Sequence, residues 1–175
     1  MNSSMEKIEQ EPSFEFKKNL SVLREIRFCS ELPMETLKVL AYLCVREPFK
    51  AGDYLFRQKD DDGRAFYIIS GKARMMRQDE KKSLILRDVD SGTFLGSLAL
   101  LGKAPRLFSM QAIIDTSCLI LSREKFTKAI EQFPDTLPKI LNAVVESVHT
   151  WEKRFLAESD ESCEKCVQKI GVSLL

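Results

Sequence analysis

The chain has one histidine, one tryptophan and almost no net charge, with 27 Lys plus Arg against 26 Asp plus Glu. The lone His149 has neither a nucleophile nor a carboxylate as an evident partner, so no acid–base machinery is readable and an enzyme is the least favoured class. A formal charge of +1 supplies no global field toward DNA or an anionic membrane. No apolar run approaches the roughly 20 residues that span a bilayer, and nothing near Met1 has the layout of a signal peptide. The expectation is a soluble, cytoplasmic protein with no membrane contact. The five cysteines are an odd number. Cys29, Cys44 and Cys118 lie inside apolar segments, where cysteine is usually a small reduced hydrophobe. Cys163 and Cys166 form one C-x-x-C, which lacks the four ligands of a zinc site and leaves a labile disulfide or an incidental pair.

With 175 residues and 44% hydrophobic content, the chain fits one domain with a complete core plus extensions. Residues 1–16 are polar and aperiodic and are expected to form a flexible lead. A short helix is expected from Lys17 to Phe28. A second, from about Pro33 to Cys44, carries Leu37, Leu40, Ala41 and Cys44 on one side. After Val45 the hydrophobic period drops to two, and short strands follow one another with glycine turns and no helix between them. That pattern predicts a mainly β fold with flanking helices, an antiparallel jelly roll (a cupin-like double-stranded β-helix) rather than a parallel sheet.

The run Lys59-Asp60-Asp61-Asp62-Gly63-Arg64 reads as a solvated hairpin tip. A calcium loop would need carboxylates at alternate positions and a bidentate Glu, which are absent here. From Ser122 the helical period returns, with Ser122 as a cap and Phe126, Ala129, Ile130 and Phe133 as a stripe. The last helix, about 135–157, spaces Leu137, Leu141, Val144, Val148, Trp151 and Phe155 as a heptad seam. A monomer could use that seam to cover its own barrel, but so narrow a stripe suits two-stranded pairing and favours a homodimer through this helix. The domain is thus expected to span residues 17–157, with residues 158–175 as a tail too short to form a helix-turn-helix. Direct DNA reading is disfavoured on that ground.

The pattern is interrupted at residues 91–112. Gly92 and Gly96 allow close backbone approach, Leu98–Leu101 suggests one helical turn, and Arg106 heads a strand expected to run to Ile114. Together they have the grammar of an anion site with no catalytic group. Ser97 is a natural cap for the short helix. An Arg facing a barrel interior needs a negative partner, either a ligand or a side chain such as Asp115 or Glu80.

The whole resembles the cyclic nucleotide-binding domain family, across about residues 18–155. The resemblance is carried by Gly52-Asp53-Tyr54-Leu55-Phe56, by Phe66-Tyr67-Ile68-Ile69-Ser70-Gly71, and by the cassette Phe94-Leu95-Gly96-Ser97-Leu98-Ala99-Leu100-Leu101 with Pro105-Arg106. It implies a non-enzymatic regulatory module without a cofactor, taking cAMP, cGMP or another small phosphorylated ligand and relaying its binding through the C-terminal helix to an effector protein. Gly96 and the N–H groups of Leu98 and Ala99 would face the phosphate, Arg106 would pair with its charge, and Ser97, Leu107, Phe108 and Ser109 would complete the ligand-facing set. Three positions depart from the family. Ser97 replaces the Glu that binds the ribose hydroxyl, a loss of about 1.5–3 kcal/mol, or roughly ten- to hundredfold in affinity. Leu107 and Phe108 replace small residues, and strand alternation places Phe108 on the face of Arg106. These departures open the alternatives of a protein–protein adaptor that binds no nucleotide and of an accessory transcription regulator.

Overall fold

A computed structural model describes residues 11–79 and 82–158 of the chain. The order is α1 (Glu11–Glu25), α2 (Met34–Leu43), β1 (Val45–Phe49), β2 (Tyr54–Phe56), β3 (Arg64–Ser70), β4 (Lys72–Asp79), β5 (Lys82–Asp90), β6 (Phe94–Leu95), α3 (Ser97–Leu101), β7 (Ser109–Ala112), β8 (Thr116–Ser122), α4 (Arg123–Gln132), a 3-10 turn (Pro134–Thr136) and α5 (Leu137–Glu158). Two four-stranded sheets, ordered β1-β8-β3-β6 and β2-β7-β4-β5, face each other, and the pairings within them are antiparallel. The expected jelly roll with flanking helices is the fold observed.

The period-two pattern explains how one sheet serves two cores. On β8, Cys118 and Ile120 point between the sheets, while Leu119 and Leu121 point the other way, toward the helices. Phe66 and Ile68 of β3 likewise face inward beside Phe56, Met75 and Met110, and Ala65 faces the helices. The helical layer over that outer face combines Leu23 and Ile26 with Leu37, Leu40 and Ala41 of α2, Phe126 and Ala129 of α4, and Ile140 of α5. Both faces of β3 and β8 are therefore buried, which is why their sequences are almost continuously apolar. The two ends of the helical layer are also joined by a polar contact: Thr36 and Thr136, both fully buried, share a hydroxyl hydrogen bond of 3.2 Å across 100 residues.

Several expected boundaries move. Helix α1 begins at Glu11, inside the stretch expected to be a flexible lead. Strand β2 ends at Phe56 because the next two N–H groups are taken by side chains: Arg57 donates to Asp60 and Gln58 to the hydroxyl of Ser109. Strand β7 starts at Ser109, not Arg106, since the backbone of Arg106 is bonded instead to the β2–β3 connection. On α5, Ile140 is fully buried against the core, while Leu137, Leu141 and Trp151 of the expected seam are exposed and Val144 and Val148 are half-buried. The side chain of Phe155, and Cys163 and Cys166, lie outside the described residues. Among the described residues, no helix is long and apolar enough to cross a membrane.

Candidate functional site: an arginine cassette closed by the chain's own aspartate

Gly96 is the pivot of the cassette. Its φ of +89° is in the left-handed region, where a side chain is strained, and a Cβ built there would stand 2.7 Å from Nη1 of Arg106 and 2.8 Å from the carbonyl oxygen of Arg64. Glycine thus lets the guanidinium lie directly against the backbone at the head of α3. Gly96 itself is the N-cap of α3, and no side chain caps the helix, so Ser97 occupies the first helical position and is not the cap expected of it.

Arg106 is 8% exposed. Its Nη2 donates to Oδ1 of Asp62 at 2.6 Å and also to the carbonyl oxygen of Arg64. The guanidinium carbon sits 4.1 Å from the ring centre of Phe56 and 5.7 Å from that of Phe66. Phe108 packs its ring 5.7 Å from Phe56 and lies against the core between the sheets, but residues 106–108 precede β7, so the strand alternation expected to place it there does not operate. Leu107 turns outward and is 79% exposed. The buried charge is therefore met from within the chain by Asp62. Asp115, one of the two side chains expected to meet it, pairs instead with Lys50 and caps the N–H of Ala51. The other, Glu80, lies outside the described residues.

The aspartate triplet is solvated in part, as expected, with Asp60 and Asp61 exposed, but Asp62 is half-buried and all three carboxylates are engaged. Asp60 accepts from Arg57 N–H, Asp61 pairs with Arg123 at 2.5 Å, and Asp62 takes both Arg106 and the N–H of Arg64 on the same oxygen. The hydrogen bond from Arg123 holds the carboxyl of Asp61 below the ordinary carboxylate range, with smaller help from its positive charge and the N–H of Ala104. The backbone completes the embrace: Arg106 N–H donates to the Asp60 carbonyl and Lys59 N–H to the Arg106 carbonyl, each at 2.8 Å. Two buried side-chain atoms among the described residues have no partner, and both belong to this pair: Oδ2 of Asp62 and Nε of Arg106. Each such atom costs about 1–3 kcal/mol.

The other sequence-selected residues sit as follows. Ala99 is buried, its N–H donates to the Gly96 carbonyl at 3.0 Å, and its own carbonyl accepts from Nε of Arg123 at 2.7 Å. Leu98 is exposed, and the hydroxyl of Ser109 is engaged by the N–H of Gln58. Sequence reasoning missed Asp61, Asp62 and Arg123. The only available signal was the pairing rule for a buried Arg, which asks for an acid but does not say which. Among the described residues no cluster of metal-ligating side chains is present.

An apolar groove of about 340 Å³ continues from the cassette to the last helix, lined by Leu100 and Leu101 of α3, Phe126 and Ile130 of α4, and Leu137 and Ile140 of α5.

Residues 46–133 match the model of the cyclic nucleotide-binding domain. Mouse cGMP-dependent protein kinase 2 is 22% identical over 156 residues, which are 87% of this chain and 20% of the kinase, so the chain spans about a fifth of that relative's length. A cyclic nucleotide-binding-like protein from Brucella abortus superposes with a TM-score of 0.60 at 25% identity, covering 65% of this chain and 98% of that structure. The N-terminal domain of a Streptomyces coelicolor transcriptional regulator superposes at 0.68 with 23% identity, covering 80% and 99% respectively. The matched span includes both sheets, α3, Arg106 and α4, and on these grounds the chain belongs to the cyclic nucleotide-binding domain family.

Proposed function

We propose that this chain is a non-enzymatic regulatory module whose cassette is closed by Asp62, so that it works through protein contacts rather than as a high-affinity receptor for cAMP or cGMP. The observation that carries the reading is the buried pair of Arg106 and Asp62: the charge that would receive a cyclic phosphate is already neutralised at 2.6 Å. A nucleotide would have to displace that carboxylate, and it would then find Ser97 where the family has the ribose-binding Glu, with the Phe108 ring packed at a tilt against Phe56 beside it. Calorimetric titration of the wild-type chain with cAMP and cGMP should give no binding heat into the millimolar range. Micromolar binding that disappears in Arg106→Ala would overturn the reading.

That overturning result would establish a second reading, a ligand-sensing relay for a small phosphorylated ligand. It is favoured by the unpartnered Nε of Arg106, a buried donor with room in its chemistry for one more anion contact. In either case the groove between α3, α4 and α5 supplies a contiguous apolar route from cassette to output helix. A ligand moves that route only through different affinity for its two arrangements. The exposed Leu137 and Leu141 support homodimerisation through α5, which sedimentation of Leu141→Asp against wild type tests. The near-neutral charge supports a protein effector over direct DNA contact.

A further inference from the structure

The β2–β3 connection grips the cassette twice, and the second grip does not use Arg106. Asp61 pairs with Nη2 of Arg123, and the same guanidinium donates through Nε to the carbonyl of Ala99 in α3. The backbone N–H of Arg123 also donates to the carbonyl of Gly63 at 2.6 Å, so the head of α4 is tied to the end of the same connection. Consecutive carboxylates of one segment thus hold two arginines, one following α3 in the chain and one that fastens α3 to α4. Adjacent Cα atoms are about 3.8 Å apart across a rigid peptide, so a backbone movement that withdraws one carboxylate carries the other with it.

We propose that Asp60–Gly63 is a latch on the cassette: Asp62 occupies Arg106 as an internal anion, and Asp61 acts through Arg123 to fix α3, so that withdrawal of Asp62 releases α3. This rests on the reading that Asp62 closes Arg106. Arg123 is a positioning residue in this device, since it holds the Ala99 carbonyl and faces no ligand. The latch is displaceable because its closed state is incompletely satisfied: Oδ2 of Asp62 and Nε of Arg106 lack partners while closed, and both gain them from water on opening. A polar cleft of about 570 Å³, lined by Asp61, Asp62, Arg123 and Glu124 among others, gives solvent access to the outer side of the latch.

Amide hydrogen exchange of the full chain without ligand tests the device at Ala99 and Gly102, whose N–H groups bond the Gly96 and Leu98 carbonyls. Asp62→Asn should speed exchange there about tenfold, although no hydrogen bond links Asp62 to α3 or Arg123 among those described. Asp61→Asn and Arg123→Lys should do the same, the latter because Lys cannot hold two acceptors in a fork. Because the grips are coupled, the double variant Asp61→Asn with Asp62→Asn should exceed the larger single effect by less than about twofold. Wild-type exchange at Ala99 and Gly102 in Asp62→Asn would sink the proposal. So would effects that multiply, since the signal would then pass directly from Arg106 to Gly96. If Asp62→Asn does not fold, Arg106→Gln removes the charge at the other end of the same contact and is read at the same amides. No nucleotide enters this experiment, so its failure is distinct from that of the closed-cassette reading, which calorimetry decides.

Discussion

Two aspartate–cation pairs in this domain have nearly the same length and opposite settings. Asp62 meets Arg106 at 2.6 Å with side chains 19% and 7% exposed, whereas Asp115 meets Lys50 at 2.7 Å with side chains 66% and 78% exposed. The distance does not distinguish them. Water does: it screens the outer pair and offers each partner an alternative, while the inner pair has been stripped of solvent and depends on its own geometry. A short ion pair is therefore evidence about function only when its burial is known. Here burial marks the pair that lies in the cassette.

The largest test of the contrast removes one inner partner. Arg106→Ala or Asp62→Ala leaves a buried charge uncompensated and should destabilise the fold by about 3–5 kcal/mol in urea titrations. Replacing both by apolar residues of similar volume, Arg106→Met with Asp62→Leu, should recover most of that loss. A double variant as unstable as either single one would mean that the pair contributes net stability, not merely mutual compensation. Next in size, Gly96→Ala should cost about 1–3 kcal/mol, because the new methyl meets the guanidinium and a backbone carbonyl at a left-handed φ. Cyclic denaturant scans on the Arg106→Ala background should show a smaller penalty, since one of the two obstacles is gone.

A third test uses groups in which loss of solvent outweighs any neighbouring charge, including Lys125 and Arg46 beside Cys44. Burial pushes the thiols of Cys29 and Cys44 up from 9.0 to about 12. Above pH 9 the unfolded thiols lose protons that the folded ones keep, so stability falls as pH rises from about 9 toward 12. Urea midpoints at pH 8 and pH 10 should show the drop, reduced in Cys29→Ala. The carboxyl of Asp61, held low by Arg123, acts in the opposite sense: its contribution is present above its unfolded pKa and is lost as pH falls through the folded value. The smallest effect belongs to the outer pair. Lys50→Ala should leave the urea midpoint within experimental scatter, and any difference should vanish in 1 M salt, where the screening length is about 3 Å.

The fold was legible because its determinants are local. Alternation on β3 and β8, glycine turns and the return of helical period after Ser122 are each read within a few residues. The cassette was legible as far as Gly96 and Arg106, which carry their own chemistry. Its closure was not, because the partner of Arg106 lies 44 residues away and is one of three identical neighbours. The choice among Asp60, Asp61 and Asp62 is made by how the connection curls over Arg106, with backbone bonds at Lys59 and Asp60 setting the direction. Arg123 was hidden for a related reason: at the first turn of a helix an exposed Arg and a bridging Arg look alike in sequence. The capping role expected of Ser97 failed because glycine, one position earlier, already held the left-handed conformation from which the helix starts.

The hydroxyl pair of Thr36 and Thr136 has a consequence in time. It seals a helical layer whose two halves are separated by the entire β-sandwich, so α2 emerges from the ribosome 100 residues before the surface that covers it. At about 5–20 residues per second that is a wait of roughly 5–20 s. During this interval Leu37, Leu40 and Ala41 of α2 lack Phe126, Ala129 and Ile140, against which they later pack. The helical layer is therefore finished last, and a nascent chain stalled before α4 presents its apolar face to whatever binds exposed hydrophobic helices in the cell.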